Sequence, residues 1–208
     1  RDLLAGFVGV SFDWWRGKFS RCFSVRVDGP LDEKAFAEKL QMPFVRYKPN
    51  TKIVIPHGEK RLEHRPVVVG LGPAGLFAAY VLAKHGYRPL VLERGNDVDT
   101  RHEDIERFWR GGAFNPQSNV QFGEGGAGTF SDGKLTTRIN DAHMKDVIEA
   151  FVAAGAPKEI CYLHKPHIGT DILREVVRNI RKEIIRLGGT VRFGAQVTDV
   201  ELGEEGVE

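Results

Sequence analysis

Cysteine is nearly missing from this chain. Cys22 and Cys161 are the two in 208 residues, they lie far apart, and they form no CxxC pair. That excludes a disulfide framework and a redox dithiol, and it fits a reducing, cytoplasmic setting. Long apolar runs are also missing: nothing approaches the roughly twenty residues a membrane span requires. Leu3 to Val10 is too short for one and lacks the flanks of a signal peptide. Charge of one sign is not in excess either. Lys plus Arg number 30 against 28 Asp plus Glu, a net +2, and no basic run is long enough for a nucleic-acid surface, so no nucleic-acid partner is expected. The chain begins at Arg1 without Met and stops at Glu208 just after a strand-like run, as a fragment of a longer protein would. Its length still allows a real core.

Glycine is plentiful, with 24 residues, and it clusters in two places. The first follows Val67-Val68-Val69, an apolar run without polar alternation that predicts a strand buried on both faces of a parallel sheet. In the turn Gly70-Leu71-Gly72-Pro73-Ala74-Gly75, Gly70 permits a sharp bend, Gly72 lets the backbone approach a pyrophosphate, and Gly75 lets the next helix pack on the strand. Ala74 to His85 reads as that helix, its N–H groups and positive dipole end facing the phosphates. Arg88 to Leu92 is a second strand ending in Glu93, 23 residues after Gly70. A carboxylate there accepts hydrogen bonds from an adenosine ribose and repels a 2′-phosphate, so NADP is not expected at this site. Arg94 and Arg101 lie at the diphosphate end of such a sheet, where either could neutralise phosphate or simply be solvated.

The second cluster is Asn119 to Leu135, with five glycines among small polar residues. Such composition forms no regular element alone and needs a partner to order it. Close backbone approach to a bulky planar cofactor and its phosphates is the expected role of Gly125, Gly126 and Gly128. Thr129 and Ser131 are donors, and Lys134 is a cation near the ring or phosphate. Val120, Phe122, Phe130 and Leu135 would anchor the segment.

The two clusters together resemble the bacterial FAD-dependent dehydrogenases (NAD(P)/FAD-dependent oxidoreductases) of the glutathione-reductase-like flavoprotein superfamily. The likeness runs from about Arg65 to Glu201, and Phe122 to Lys134 is its most specific part. It implies a Rossmann-like FAD-binding domain in which Gly70, Gly72, Pro73, Ala74 and Gly75 cradle the diphosphate and Glu93 holds the ribose. Gly126 to Ser131 would lie along the diphosphate and isoalloxazine, and the Val197 backbone would meet the adenine edge. NAD(P)H is a candidate electron donor. Related disulfide reductases carry two cysteines in the corresponding loop; none is present here, so dithiol chemistry is not implied. Flavoproteins of this type also have a late Gly-Asp segment, and none follows Val200, so the 208 residues alone are expected to bind FAD weakly or not at all.

The remaining chain is less specific. Residues 1–64 read as a small α+β N-terminal domain or extension, with a strand at Cys22 to Val27, a helix at Asp32 to Leu40, and a further strand at Lys52 to Ile55. Trp14 and Trp15 fit a core and interface pair better than a ligand stack. Residues 65–208 read as the FAD-binding domain, incomplete at its C-terminus, with helices at Thr100 to Arg110, Asp141 to Ala154 and Asp171 to Leu187, the last capped by Thr170. Thr190 to Phe193 begins a third strand, and Gln196 to Val200 continues as strand or hairpin. Cys161, His164 and His167 lack a fourth ligand, so no metal is expected. His167 is either a turn histidine or an acid–base group. The fold class is therefore α/β with a parallel sheet, preceded by the small α+β element. The expected activity is hydride movement between a substrate and FAD; an NAD-binding dehydrogenase and a non-catalytic redox-sensing module are the alternatives.

Overall fold

The computed structural model describes residues 6–15, 18–26, 32–43, 45–47, 55–56, 58–59, 62–135, 141, 143–161, 167–203 and 206–207. An antiparallel hairpin opens the chain, with β1 at Gly6–Trp15 and β2 at Lys18–Arg26. The expected strand at Cys22 thus belongs to a longer one, and its partner occupies residues assigned no strand by their pattern. The expected strand at Lys52 to Ile55 lies outside the described residues except for Ile55. Helix α1, Glu33–Leu40, starts where Asp32 accepts hydrogen bonds from the Lys34 and Ala35 N–H groups, an ordinary carboxylate cap.

The rest is built on a three-stranded parallel sheet: β3 (Val67–Val69), β4 (Leu90–Leu92) and β5 (Thr190–Arg192), with β4 in the centre. Register places Val68, Val91 and Val191 in one row. Because side chains alternate across a strand, that row faces one side of the sheet, and there helices α2 (Pro73–Lys84) and α5 (Thr170–Arg186) cover it. Leu76, Ala79 and Ala83 of α2 meet Leu173, Val176, Val177, Ile180 and Ile184 of α5, the 3- and 4-residue spacing that makes one helical face apolar. Ile180 is 1% exposed. Ile180→Ala is expected to cost about 2–5 kcal/mol, read as a lower urea midpoint.

The opposite side of the sheet corrects the sequence reading. Val67 and Val69 are exposed, at 50% and 62%, so β3 is buried on one face only. Its apolar run follows from pairing in a parallel sheet, while no described element lies over its other face. Two further expectations change. Gln196 to Val200 forms no strand: after β5 the chain turns at Gly194 (φ +62), and the short pair β6 (Leu202–Gly203) and β7 (Gly206–Val207) comes later. Thr170 does not cap α5. Gly169, at φ +84, holds the cap position, and the Thr170 hydroxyl inside the first turn donates to the Ser131 carbonyl.

Helices α3 (Val98–Trp109) and α4 (Met144–Ala153) complete the described helices. Asp97 caps α3, accepting from the Asp99 and Thr100 N–H groups, which starts the helix two residues before the expected Thr100. Arg178 on α5 ties to Asp99 on α3 through its guanidinium. Among the described residues no helix is long and apolar enough to cross a membrane.

Candidate dinucleotide-binding site

The site starts with the turn that joins β3 to α2. Gly70 continues the parallel ladder, its N–H donating to the Leu92 carbonyl at 2.8 Å, and then leaves the strand at φ +87. Helix α2 begins at Pro73, after Gly72, with no side chain capping it. Proline at the first helical position has no N–H to satisfy, and its fixed φ suits the turn. The following N–H groups and the helix dipole are left for an external anion. A Cβ on Gly75 would lie 1.9 Å from the Gly70 carbonyl oxygen, so the turn closes only over a bare α-carbon. A Cβ on Gly72 would meet nothing within 4 Å. The space beside that residue is open.

Glu93 ends β4 and is 4% exposed. One carboxylate oxygen accepts from the Leu71 N–H at 2.6 Å, and the other accepts from the Gly95 N–H at 2.8 Å. The carboxylate is thereby pinned under the glycine turn. Its backbone carbonyl accepts from Ala195 N–H, which brings Ala195, two residues before Val197, to the same strand end.

Arg101 sits at the centre of the second glycine cluster. Its side chain is fully buried, with Nε donating to the Asn119 carbonyl at 2.8 Å and Nη2 to Val120 at 3.0 Å. Nη1 donates to Gly123, Glu124 and Gly126 at 3.3, 2.6 and 2.9 Å. The guanidinium also lies over the Phe130 ring, 4.6 Å from its centroid. A segment with no regular structure thus satisfies its carbonyls on one cation, which answers the need for an ordering partner. Burial lowers the Arg101 pKa to about 10 while Glu93 and Glu124 hold it up, so the group remains charged at neutral pH.

Glu124, between two glycines, is also fully buried. It accepts from the Val98 N–H at 2.7 Å, at the start of α3, and from Arg181 Nε at 2.7 Å, on α5. Burial pushes its carboxyl above the usual range, against the pull of Arg181 and the Val98 N–H. One carboxylate therefore locks the glycine segment to two helices.

The segment packs directly on the first turn. Gly125 N–H donates to the Leu71 carbonyl at 2.8 Å, and a Cβ on Gly126 would come 2.9 Å from Pro73 Cδ and 3.4 Å from Gly72 Cα. A short 3₁₀ turn follows at Ala127–Phe130, with Gly128 exposed. Further on, Ser131 Oγ donates back to the Gly128 carbonyl at 2.7 Å. Lys134 pairs with Asp132 at 2.6 Å, both exposed, and that contact raises the lysine pKa and lowers the aspartate's. Lys134 also pairs in an isolated antiparallel bridge with His167, whose Nε2 contacts the Asp132 carbonyl.

The structure thus brings Gly70, Gly72, Pro73, Ala74, Gly75, Glu93, Gly125 and Gly126 into one locus. Gly128, Ser131 and Lys134 continue from it along the same segment. Thr129 is 1% exposed, and its hydroxyl, without a hydrogen-bond partner among the described residues, lies where a Cβ on Gly125 would fall, 2.1 Å away. Arg94 stacks over Phe122, 4.1 Å from the ring centroid, and donates to Gln117 at 3.0 Å, so it braces the segment's outer edge. Sequence reasoning missed Glu124 and its partner Arg181. The available signal was an acid placed between glycines, where no solvated face is formed; of the expected anchors, Val120 and Phe122 are exposed. Among the described residues no group of three potential metal ligands occurs, and His164 lies outside them.

Residues 68–118 match the family described as NAD(P)-binding Rossmann-like domain. A protein of Clostridium beijerinckii named only "Uncharacterized protein" is 57% identical over 146 residues, 70% of this chain and 27% of that relative. Thiamine thiazole synthase of Sulfolobus acidocaldarius is 61% identical over 33 residues, 16% of this chain and 12% of that protein. The chain spans about a quarter of the first relative's length. Parallel strands, crossover helices and the matched region agree: the chain has a Rossmann-like nucleotide-binding fold of the α/β class.

Proposed function

We propose that residues 65–208 form the FAD-binding part of an oxidoreductase that moves a hydride between a substrate and the flavin, with NAD(P)H as a candidate electron donor. The observation that carries this reading is the second glycine segment seated on the first turn, with Gly126 against Pro73 and Gly72. A minimal nicotinamide site needs only the first turn and Glu93. A second wall over the diphosphate suits a longer cofactor that runs on past it toward Gly128, Ser131 and Lys134.

The residues fit such a group. The uncapped start of α2 and the open space at Gly72 suit an anionic diphosphate. Glu93, already oriented by two backbone N–H groups, retains lone pairs for ribose hydroxyls. When bound, FAD supplies the two-electron chemistry. Arg94, Arg101 and Glu124 act on the segment that lies over the site, and Lys134 offers a cation at its far end.

The competing reading is an NAD-binding dehydrogenase, favoured by Glu93 and by the match to NAD(P)-binding domains. The full-length gene product, purified without added cofactor, separates the readings. It is expected to be yellow and to bleach with NADH or NADPH. A colourless protein that binds NAD supports the second reading, and a yellow one inert to every reductant supports a redox-sensing module.

A further inference from the structure

We propose that Arg101 is a positioning residue for the diphosphate: a buried cation that shapes the glycine segment through its carbonyls and attracts the phosphates through their field without touching them. This rests on the dinucleotide reading above. Three observations carry it. First, among the described residues every hydrogen bond of the guanidinium goes to a neutral carbonyl, and none to a carboxylate. A buried charge left without a contacting counter-ion is costly unless it is used or compensated at longer range.

Second, the nearest charges are arranged along the site. Glu124 is already matched by Arg181 at 2.7 Å. Glu93, which like Glu124 supports the Arg101 charge through space without contacting it, is pinned at the ribose end of the turn. That leaves a positive pole under the segment and a negative pole at the end of β4. A dinucleotide has the matching pattern, with hydroxyl donors on its ribose and anionic oxygens on its diphosphate.

Third, the connection is short. Arg101 Nη1 donates to the Gly126 carbonyl at 2.9 Å, and the Gly126 α-carbon lies against Pro73 and Gly72, where α2 begins. The cation is one residue behind the wall that faces the anion. A field through buried protein is weakly screened by salt compared with that of an exposed side chain. Donation to the carbonyls also holds their negative ends inward, toward the arginine, and away from the phosphates.

The test compares ADP with adenosine by calorimetry, in the full-length wild-type protein and in its Arg101→Met and Arg101→Lys variants. Arg101→Met is expected to weaken ADP roughly ten- to thirtyfold more than adenosine, the effect of one unit charge across about 10 Å of protein. Arg101→Lys keeps the charge and loses most of the carbonyl bonds; it is expected to weaken both ligands while keeping the preference for ADP. Equal losses for ADP and adenosine in Arg101→Met overturn the proposal and leave Arg101 a structural group. Should Arg101→Met fail to fold, the wild-type chain still decides. Its preference for ADP over adenosine is expected to persist between about 50 and 500 mM salt, as a buried source requires, and collapse of that preference overturns the proposal. Full-length wild-type protein that binds neither ligand rejects the dinucleotide reading itself.

Discussion

Gly75→Ala is expected to remove measurable ADP binding and to destabilise the chain by about 1–3 kcal/mol or more, the usual range for overpacking. The added methyl would lie 1.9 Å from the Gly70 carbonyl oxygen and 3.0 Å from its carbon, and both neighbours are backbone. Relief therefore requires α2 to move off β3. That movement carries Leu76 and Ala79 out of contact with α5 and shifts the N–H groups that face the anion. Gly72→Ala is the informative contrast. Its Cβ meets no protein atom within 4 Å, so its urea midpoint should match wild type while ADP binding falls at least tenfold, because the methyl occupies ligand space. A Gly75→Ala protein that binds ADP normally would show that the close approach is not needed.

Glu124→Ala is expected to cost about 3–5 kcal/mol, the range for breaking one side of a buried ion pair. The fully buried carboxylate holds both Arg181 and the Val98 N–H. Truncation leaves a part-buried guanidinium and a helix-start donor without their acceptor, beside a cavity. Because α3 and α5 both lose an anchor, the glycine segment between them should loosen as well, so ADP binding should fall with stability. Glu124→Gln keeps the shape and an acceptor oxygen, and should cost clearly less. Urea unfolding of the three proteins measures this; a loss below 1 kcal/mol for Glu124→Ala would show the ion pair to be incidental.

Much of the site was legible because its chemistry is local. Gly70 and Gly75 are dictated by the turn they form, and Glu93 by its place at the end of the next strand; spacing along one βαβ unit reveals both. Helices α2 and α5 showed themselves through apolar spacing. The roles of Arg101 and Glu124 were not legible, because they depend on contacts 18 to 57 residues away in the chain. A charged residue on a helix pattern reads as solvated until the fold shows carbonyls closing over it. Val67 and Val69 misled for the opposite reason. An apolar strand run indicates a sheet but does not say whether both faces are covered.

The central claim is that an adenine dinucleotide lies over the first glycine turn, walled by the second glycine segment. The most direct measurement is titration of the full-length protein, isotopically labelled over these residues, with ADP while the backbone amide resonances are followed. The expected result is saturable shifts in Gly72, Ala74 and Gly75, together with Gly95, Gly125 and Gly126, and little change in α4. Shifts confined to other elements, or no saturable shift at millimolar ADP, would contradict it.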